Sequence, residues 1–270
     1  MKYAIYAFIV SAVVTIALGP VIIPMLRRLK FGQNERSDGP QSHLSKAGTP
    51  TMGGMMFIAG ILVGTLAFSL NATELALPAL LATAAFALVG FLDDFLKVKQ
   101  KNTIGLRPYQ KIIAQFAIAF ILALYAYQSP FIGSKIYLAF FKAEWDLGIF
   151  YIPVMMFIII GTVNSVNLTD GLDGLCSGVS LVYSTSMMMI FIYMAAAVKA
   201  PVAEGQAVQT QYSAELNSMA IFAASVAGGC LGFLRYNTYP ARVFMGDTGS
   251  MALGGAISAM CLKRLNLQAH

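Results

Sequence analysis

YAIYAFIVSAVVTIALGPVIIPML, residues 3–26, is an uncharged apolar run of 24 residues closed by Arg27, Arg28 and Lys30. At a helical rise of about 1.5 Å per residue it reaches about 36 Å, more than the ~30 Å hydrocarbon core of a bilayer. It ends on basic residues rather than at a small-residue cleavage site, so it reads as a span and not as a removable leader. Residues 52–70, 75–92, 112–127, 149–166, 175–198, 219–234 and 249–262 form seven further candidates. The last is only about 14 residues long and is expected to be tilted, broken or shielded by protein. The expected fold is an all-α, polytopic transmembrane helix bundle of about eight spans, a single membrane domain over residues 1–270.

Composition agrees. Of the 270 residues, 58% are hydrophobic and 11% charged, against roughly 25% charged in a soluble domain. The net charge of +6 does not point to nucleic acid, because the basic residues lie in short loops between apolar runs, where orientation signals are found. Cys176, Cys230 and Cys261 lack the paired spacing of metal or redox sites and read as packing residues. Gly60 with Gly64 and Gly228 with Gly232 have the four-residue spacing that lets helices approach closely. No internal repeat or low-complexity tract interrupts the pattern.

Loops 27–51, 93–111, 164–174 and 235–248 fall on one side of such a bundle. They hold 12 of the 18 Lys and Arg residues, which assigns them to the cytoplasm. They also hold seven of the twelve acids: Glu35, Asp38, Asp93, Asp94, Asp170, Asp173 and Asp247. Ion-coupled transporters keep ionisable groups at membrane depth, and none of the eight runs contains a charged residue. Chemistry at one interface therefore fits better than a transporter or a flippase that binds head groups.

FLDDFLKVKQKNTIGLRPYQK, residues 91–111, places Asp93 and Asp94 at a water-facing helix C-terminus. There the macrodipole disfavours negative charge by about 0.3 to 1 kcal/mol per group. Either Lys97, Lys99 and Lys101 simply balance a solvated helix end, or the acids handle a divalent cation or phosphate with lysines as phosphate partners. NSVNLTDGLDGL, residues 164–175, sets Asp170 and Asp173 before a helix. Capping accounts for one of them, and the oxygen-rich turn suits magnesium rather than zinc. FMGDTGS, residues 244–250, opens the eighth run with Asp247 at an N-cap position. Capping alone would explain that aspartate, yet the glycines and free helical amides also suit a phosphate. SHLSKAGTPTMGG, residues 42–54, joins a lysine and threonines to glycines, and His43 reads as a structural or substrate hydrogen-bonder.

Taken in order, SHLSKAGTPTMGG, DDFLKV, NLTDGLDGL and VFMGDTGS resemble the loop motifs of the polyprenyl-phosphate N-acetylhexosamine-1-phosphate transferase superfamily, over about Gly32 to Gly255. The first motif is similar to that of the phospho-N-acetylmuramoyl-pentapeptide-transferase branch. The branch that transfers GlcNAc-1-phosphate from UDP-GlcNAc to undecaprenyl phosphate is the alternative. The resemblance implies Mg²⁺-dependent transfer of phospho-MurNAc-pentapeptide from UDP-MurNAc-pentapeptide to undecaprenyl phosphate, giving UMP and lipid I at the cytoplasmic face of the bacterial plasma membrane. It implies Asp93, Asp94 and Asp247 as catalytic residues. Asp247 would bind Mg²⁺, and Asp93 and Asp94 would flank the prenyl phosphate, with Asp93 taking its proton. Asn167, Asp170 and Asp173 would line the nucleotide and diphosphate region, Lys46 and Phe244 would contact uridine, and Lys97 and Lys111 would contact phosphates. A homodimer is also implied. The family's histidine-rich cytoplasmic motif and its last spans, of ten in all, have no counterpart before His270, and His43 and His270 are the only histidines. The expectation is a C-terminally truncated chain whose turnover depends on the absent segment, with a catalytically inactive fragment as the alternative.

Overall fold

A computed structural model describes residues 2–29, 48–69, 74–100, 105–138, 143–198 and 206–262. The helices are α1 (Lys2–Arg28), α2 (Gly54–Phe68), α3 (Ala76–Lys99), α4 (Pro108–Gln128), α5 (Tyr151–Thr169), α6 (Leu175–Val198), α7 (Gln206–Asn237) and α8 (Gly246–Cys261). All eight apolar runs are thus helical. Six of the described helices are long and apolar enough to cross a membrane, while α2, at 15 residues, is apolar but shorter. Strands β1 (Lys135–Leu138) and β2 (Ala143–Asp146) form an antiparallel hairpin between α4 and α5, which apolar periodicity does not disclose.

α8 resolves the question raised by its shortness: it is shielded. From Thr248 to Met260 nearly every residue is buried, against α3, α5 and α2. Gly90 of α3 makes this possible, because a Cβ there would collide with the backbone carbonyl of Asp247. In lipid such packing rests on van der Waals fit and hydrogen bonds rather than on removal of apolar surface from water. The paired glycines confirm the same rule at α1. Side chains at Gly60 and Gly64 of α2, or at Gly228 and Gly232 of α7, would strike Ser11, Thr15 and the carbonyls of Ala7, Phe8 and Ala12. In the space they leave, the Ser11 hydroxyl donates to the Ser225 carbonyl (2.6 Å).

Two readings need correction. α7 starts well before residue 219 and takes in Glu215, so a charged residue does lie within a membrane-length helix. The apolar run is interrupted by Ser213, Glu215, Asn217 and Ser218, but helical hydrogen bonding is not. Asn217 and Ser218 fold back onto the carbonyls of Ser213 (2.8 Å) and Glu215 (2.7 Å), and Ser213 donates to the Ala195 carbonyl of α6 (3.0 Å). Glu215 Oε2 accepts the Leu75 N–H (3.0 Å) at the start of α3, where the helix dipole favours a negative charge. Cysteine packing is the second: Cys176 and Cys230 are buried, but Cys261 is exposed at the end of α8, 2.9 Å from the Tyr183 hydroxyl.

Because the helices alternate in direction, the C-terminal ends of α3, α5 and α7 meet the N-terminal ends of α2, α4, α6 and α8 on one side. The β hairpin lies on the other.

Candidate active site

The last turns of α3 carry Asp93, Asp94 and Lys97. Residues four apart share a helix face, and Lys97 Nζ lies 2.7 Å from Asp93 Oδ2. The other oxygen of Asp93 accepts the Leu106 N–H (2.7 Å). α3 continues to Lys99, so the pair lies within the helix rather than beyond it, and both acids are buried, 3% and 4% exposed. This corrects the reading of a water-facing helix end.

Asp94 points into the first turn of α8. Its Oδ1 accepts the Asp247 N–H (3.2 Å), and its Oδ2 accepts the N–H (2.9 Å) and hydroxyl (2.7 Å) of Thr248. The first amides of a helix lack partners within it, and Met245, at the N-cap, makes no side-chain cap. Asp94 therefore caps α8 from a neighbouring helix. Gly246 enters the turn at φ +73°, and a side chain there would hit the Asp94 carboxylate.

Asp247 is thereby released from the capping role that its position in sequence allows. Its Oδ2 lies 2.8 Å from Lys97 Nζ and 3.1 Å from Lys111 Nζ, and its Oδ1 accepts from Asn167 Nδ2 (2.8 Å). Asn167 also donates to the Ser250 hydroxyl (2.7 Å). Lys111, in the first turn of α4, lies 3.9 Å from Asp93 Oδ2. Ligand atoms of Asp93, Asp94 and Asp247 come within 4.8 Å of one another, the group that could hold a metal ion among the described residues. Three carboxylates face two ammonium groups, leaving one negative charge uncompensated. At 4 Å and an effective dielectric near 20, each like-charge pair costs about 4 kcal/mol, a repulsion that nearby cations or a retained proton relieve.

Asp170 ends α5. Burial, with Asp247 and Asp94 nearby, pushes its carboxyl up to about 8 despite the Gly246 N–H bonded to it. Asp173 turns elsewhere: its Oδ2 accepts the Ala241 N–H (3.1 Å), tying loop 170–174 to loop 238–245. Phe244 holds its loop through its backbone, its N–H donating to the Pro50 carbonyl (2.8 Å) and its carbonyl accepting the Gly53 N–H (2.9 Å). Lys46 and His43 lie outside the described residues.

Two polar groups, Asn237 and Gln115, escaped the sequence reading. Buried Asn237 accepts from the Gly174 N–H and the Ser177 hydroxyl (both 3.1 Å) and donates to the Val243 carbonyl (3.1 Å), joining α6, α7 and the loop before α8. Gln115 and Asn164 exchange amide hydrogen bonds between α4 and α5 (2.8 and 3.3 Å). The available signal was an amide standing in, or at the end of, an apolar run, where an unpaired polar group would be costly.

A family model described as glycosyl transferase family 4 matches residues 76–264. The chain is 48% identical over 254 residues to a phospho-N-acetylmuramoyl-pentapeptide-transferase of Clostridioides difficile (strain 630), covering 94% of this chain and 73% of that relative. A protein of the same name from Thermoanaerobacter sp. (strain X514) is 47% identical over 268 residues, covering 99% and 78%. One from Clostridium novyi (strain NT) is 42% identical over 262 residues, covering 97% and 74%.

Proposed function

Because the chain belongs to glycosyl transferase family 4, and within it to the phospho-N-acetylmuramoyl-pentapeptide-transferases, we propose that it transfers phospho-MurNAc-pentapeptide from UDP-MurNAc-pentapeptide to undecaprenyl phosphate in a Mg²⁺-dependent reaction at the cytoplasmic face of the bacterial plasma membrane. It is a multi-pass membrane transferase of peptidoglycan synthesis that moves phospho-MurNAc-pentapeptide to a lipid carrier. In the proposed reaction a phosphate oxygen of undecaprenyl phosphate bonds to the sugar-linked phosphorus, the pyrophosphate P–O bond breaks, and UMP leaves with the electron pair.

The observation that carries this reading is the junction of α3, α4 and α8, where Lys97 and Lys111 converge on Asp93 and Asp247. Phosphoryl transfer needs positioning and charge neutralisation more than a covalent protein group. The donor set is all oxygen, which fits Mg²⁺ and not a soft metal. Asp247 would hold the ion, with Asp93 beside it, while Asp94 already accepts three hydrogen bonds from α8. A bound Mg²⁺ supplies neutralisation of charge on the phosphoryl oxygens. Lys97 and Lys111 would then turn toward the diphosphate, and Asp93 would take the proton of the prenyl phosphate for direct attack. Asn167 orients Asp247, while Asp170 and Phe244 flank the nucleotide side, completed by Lys46. Asp173 acts through the loop it braces.

The test supplies membranes containing the chain, extended by the C-terminal segment of one of its longer relatives, with undecaprenyl phosphate and either UDP-MurNAc-pentapeptide or UDP-GlcNAc. UMP and a lipid-linked muramoyl product are expected with the first donor alone, and only with Mg²⁺ present. Turnover of UDP-GlcNAc instead, or UMP release undiminished by chelator, would overturn the reading.

A further inference from the structure

Directly opposed residues of an antiparallel pair have their side chains on the same side. Ile136 pairs with Trp145, and Lys135 with Asp146. One side of the β1–β2 hairpin therefore carries Ile136, Ala143 and Trp145, and the other Lys135, Glu144 and Asp146. Ile136 and Leu147 pack on the core built by α4 and α5, which turns the apolar side toward the bundle. The polar side is held by Asp146, whose Oδ1 accepts the Ser134 hydroxyl (2.6 Å) and the Gly148 N–H (3.0 Å).

Trp145 nevertheless remains 57% exposed, followed by Ile149 at 63% and Phe150 at 70%. From Phe150 the exposed apolar strip runs on along α5 through Val154, Phe157 and Ile158, at the spacing of one helix face. α5 and its preceding turn form one of the membrane-length segments. The strip is thus lipid-facing at one end, and Trp145 stands four residues before Ile149 at that end. A tryptophan with an apolar body and a polar N–H is the side chain enriched where hydrocarbon meets head groups.

We propose that the β1–β2 hairpin is a membrane-interface anchor: Trp145, Ile149 and Phe150 insert into the head-group zone of the bilayer on the side opposite the carboxylate cluster, while Lys135, Glu144 and Asp146 stay in water. The place of Trp145 at the end of the α5 strip and the polar opposite side favour lipid over a second copy of the chain as the occupant.

Trp145 is the sole tryptophan, so the fluorescence of the unmodified chain in phosphatidylcholine vesicles reports on this site alone. Its emission is expected at shorter wavelength than that of tryptophan in water. Lipids brominated near the head group should remove most of it, lipids brominated near the chain ends less, and iodide present on both sides of the membrane little. Strong quenching by iodide with no response to brominated lipid would overturn the proposal by placing the hairpin in water. Indifference to both quenchers would overturn it as well, by showing that protein covers the indole.

Discussion

Both oxygens of Asp94 accept hydrogen bonds from the first turn of α8, so its removal leaves buried amides without an acceptor. Asp94→Ala is expected to cost about 1–3 kcal/mol of stability, read as a lower unfolding temperature in detergent, and Asp94→Asn, which keeps one acceptor oxygen, less. Unfolding of Asp94→Ala at the unmodified temperature would show that α8 does not depend on this cap. Asp247 differs because its carboxylate faces Lys97, Lys111 and Asn167. Asp247→Asn keeps the shape and loses the charge, so it is expected to abolish the Mg²⁺ response of UMP release while unfolding close to the unmodified chain. Asn167→Ala removes a group that orients the ligand, and outer-shell losses of this kind cost roughly 10- to 100-fold in metal affinity or activity. Mg²⁺ titrations of UMP release should show that increase in half-maximal concentration. The site's charged members were legible because acids and lysines are scarce in this chain and gather in four loops. Their division of labour was not: spacing cannot show that Asp94 reaches across to Thr248, or that Asp173 reaches Ala241.

At the level of elements, the apolar runs disclosed all eight α-helices of the described residues because lipid-length apolar segments need little context to be recognised. What they missed depends on tertiary partners. The polar start of α7 is tolerated because its groups bond to α6 and to the N-terminus of α3, and the hairpin is too short to announce itself between two spans. The shortness of α8 did carry information, and its cause is the packing that encloses it. Gly90→Ala places a methyl group against the Asp247 carbonyl, and overpacking of this kind costs about 1–3 kcal/mol. It should lower the unfolding temperature and, by displacing Asp247, cut UMP release by about 100-fold. Gly161→Ala in α5, where a Cβ meets nothing within 4 Å, is the control. It should be neutral or slightly stabilising, since alanine is the better helix former. Equal behaviour of the two variants would separate α8 from the close approach at Gly90.

Across the whole molecule, the carboxylate cluster and the β hairpin lie at opposite ends of the helices, so the two ends must face different compartments if the bundle spans the membrane. The loops at the cluster end carry the larger share of basic residues, 12 of 18, the bias expected of a cytoplasmic placement. That placement also suits the proposed substrates, because a nucleotide-linked donor is met on the cytoplasmic side. Surface positions at each end allow a direct measurement. Leu172 and Tyr239 are 65% and 84% exposed in the loops beside the cluster, and Glu144 is exposed on the polar side of the hairpin. In a chain whose own cysteines are replaced by serine, Leu172→Cys and Tyr239→Cys should resist an impermeant thiol reagent applied to intact cells and react once the membrane is opened. Glu144→Cys should react from outside in both cases. External labelling at either loop position would reverse the orientation and place the cluster away from a cytoplasmic donor. Protection of Glu144→Cys in intact cells would instead show that the hairpin end is not exposed at the outer surface.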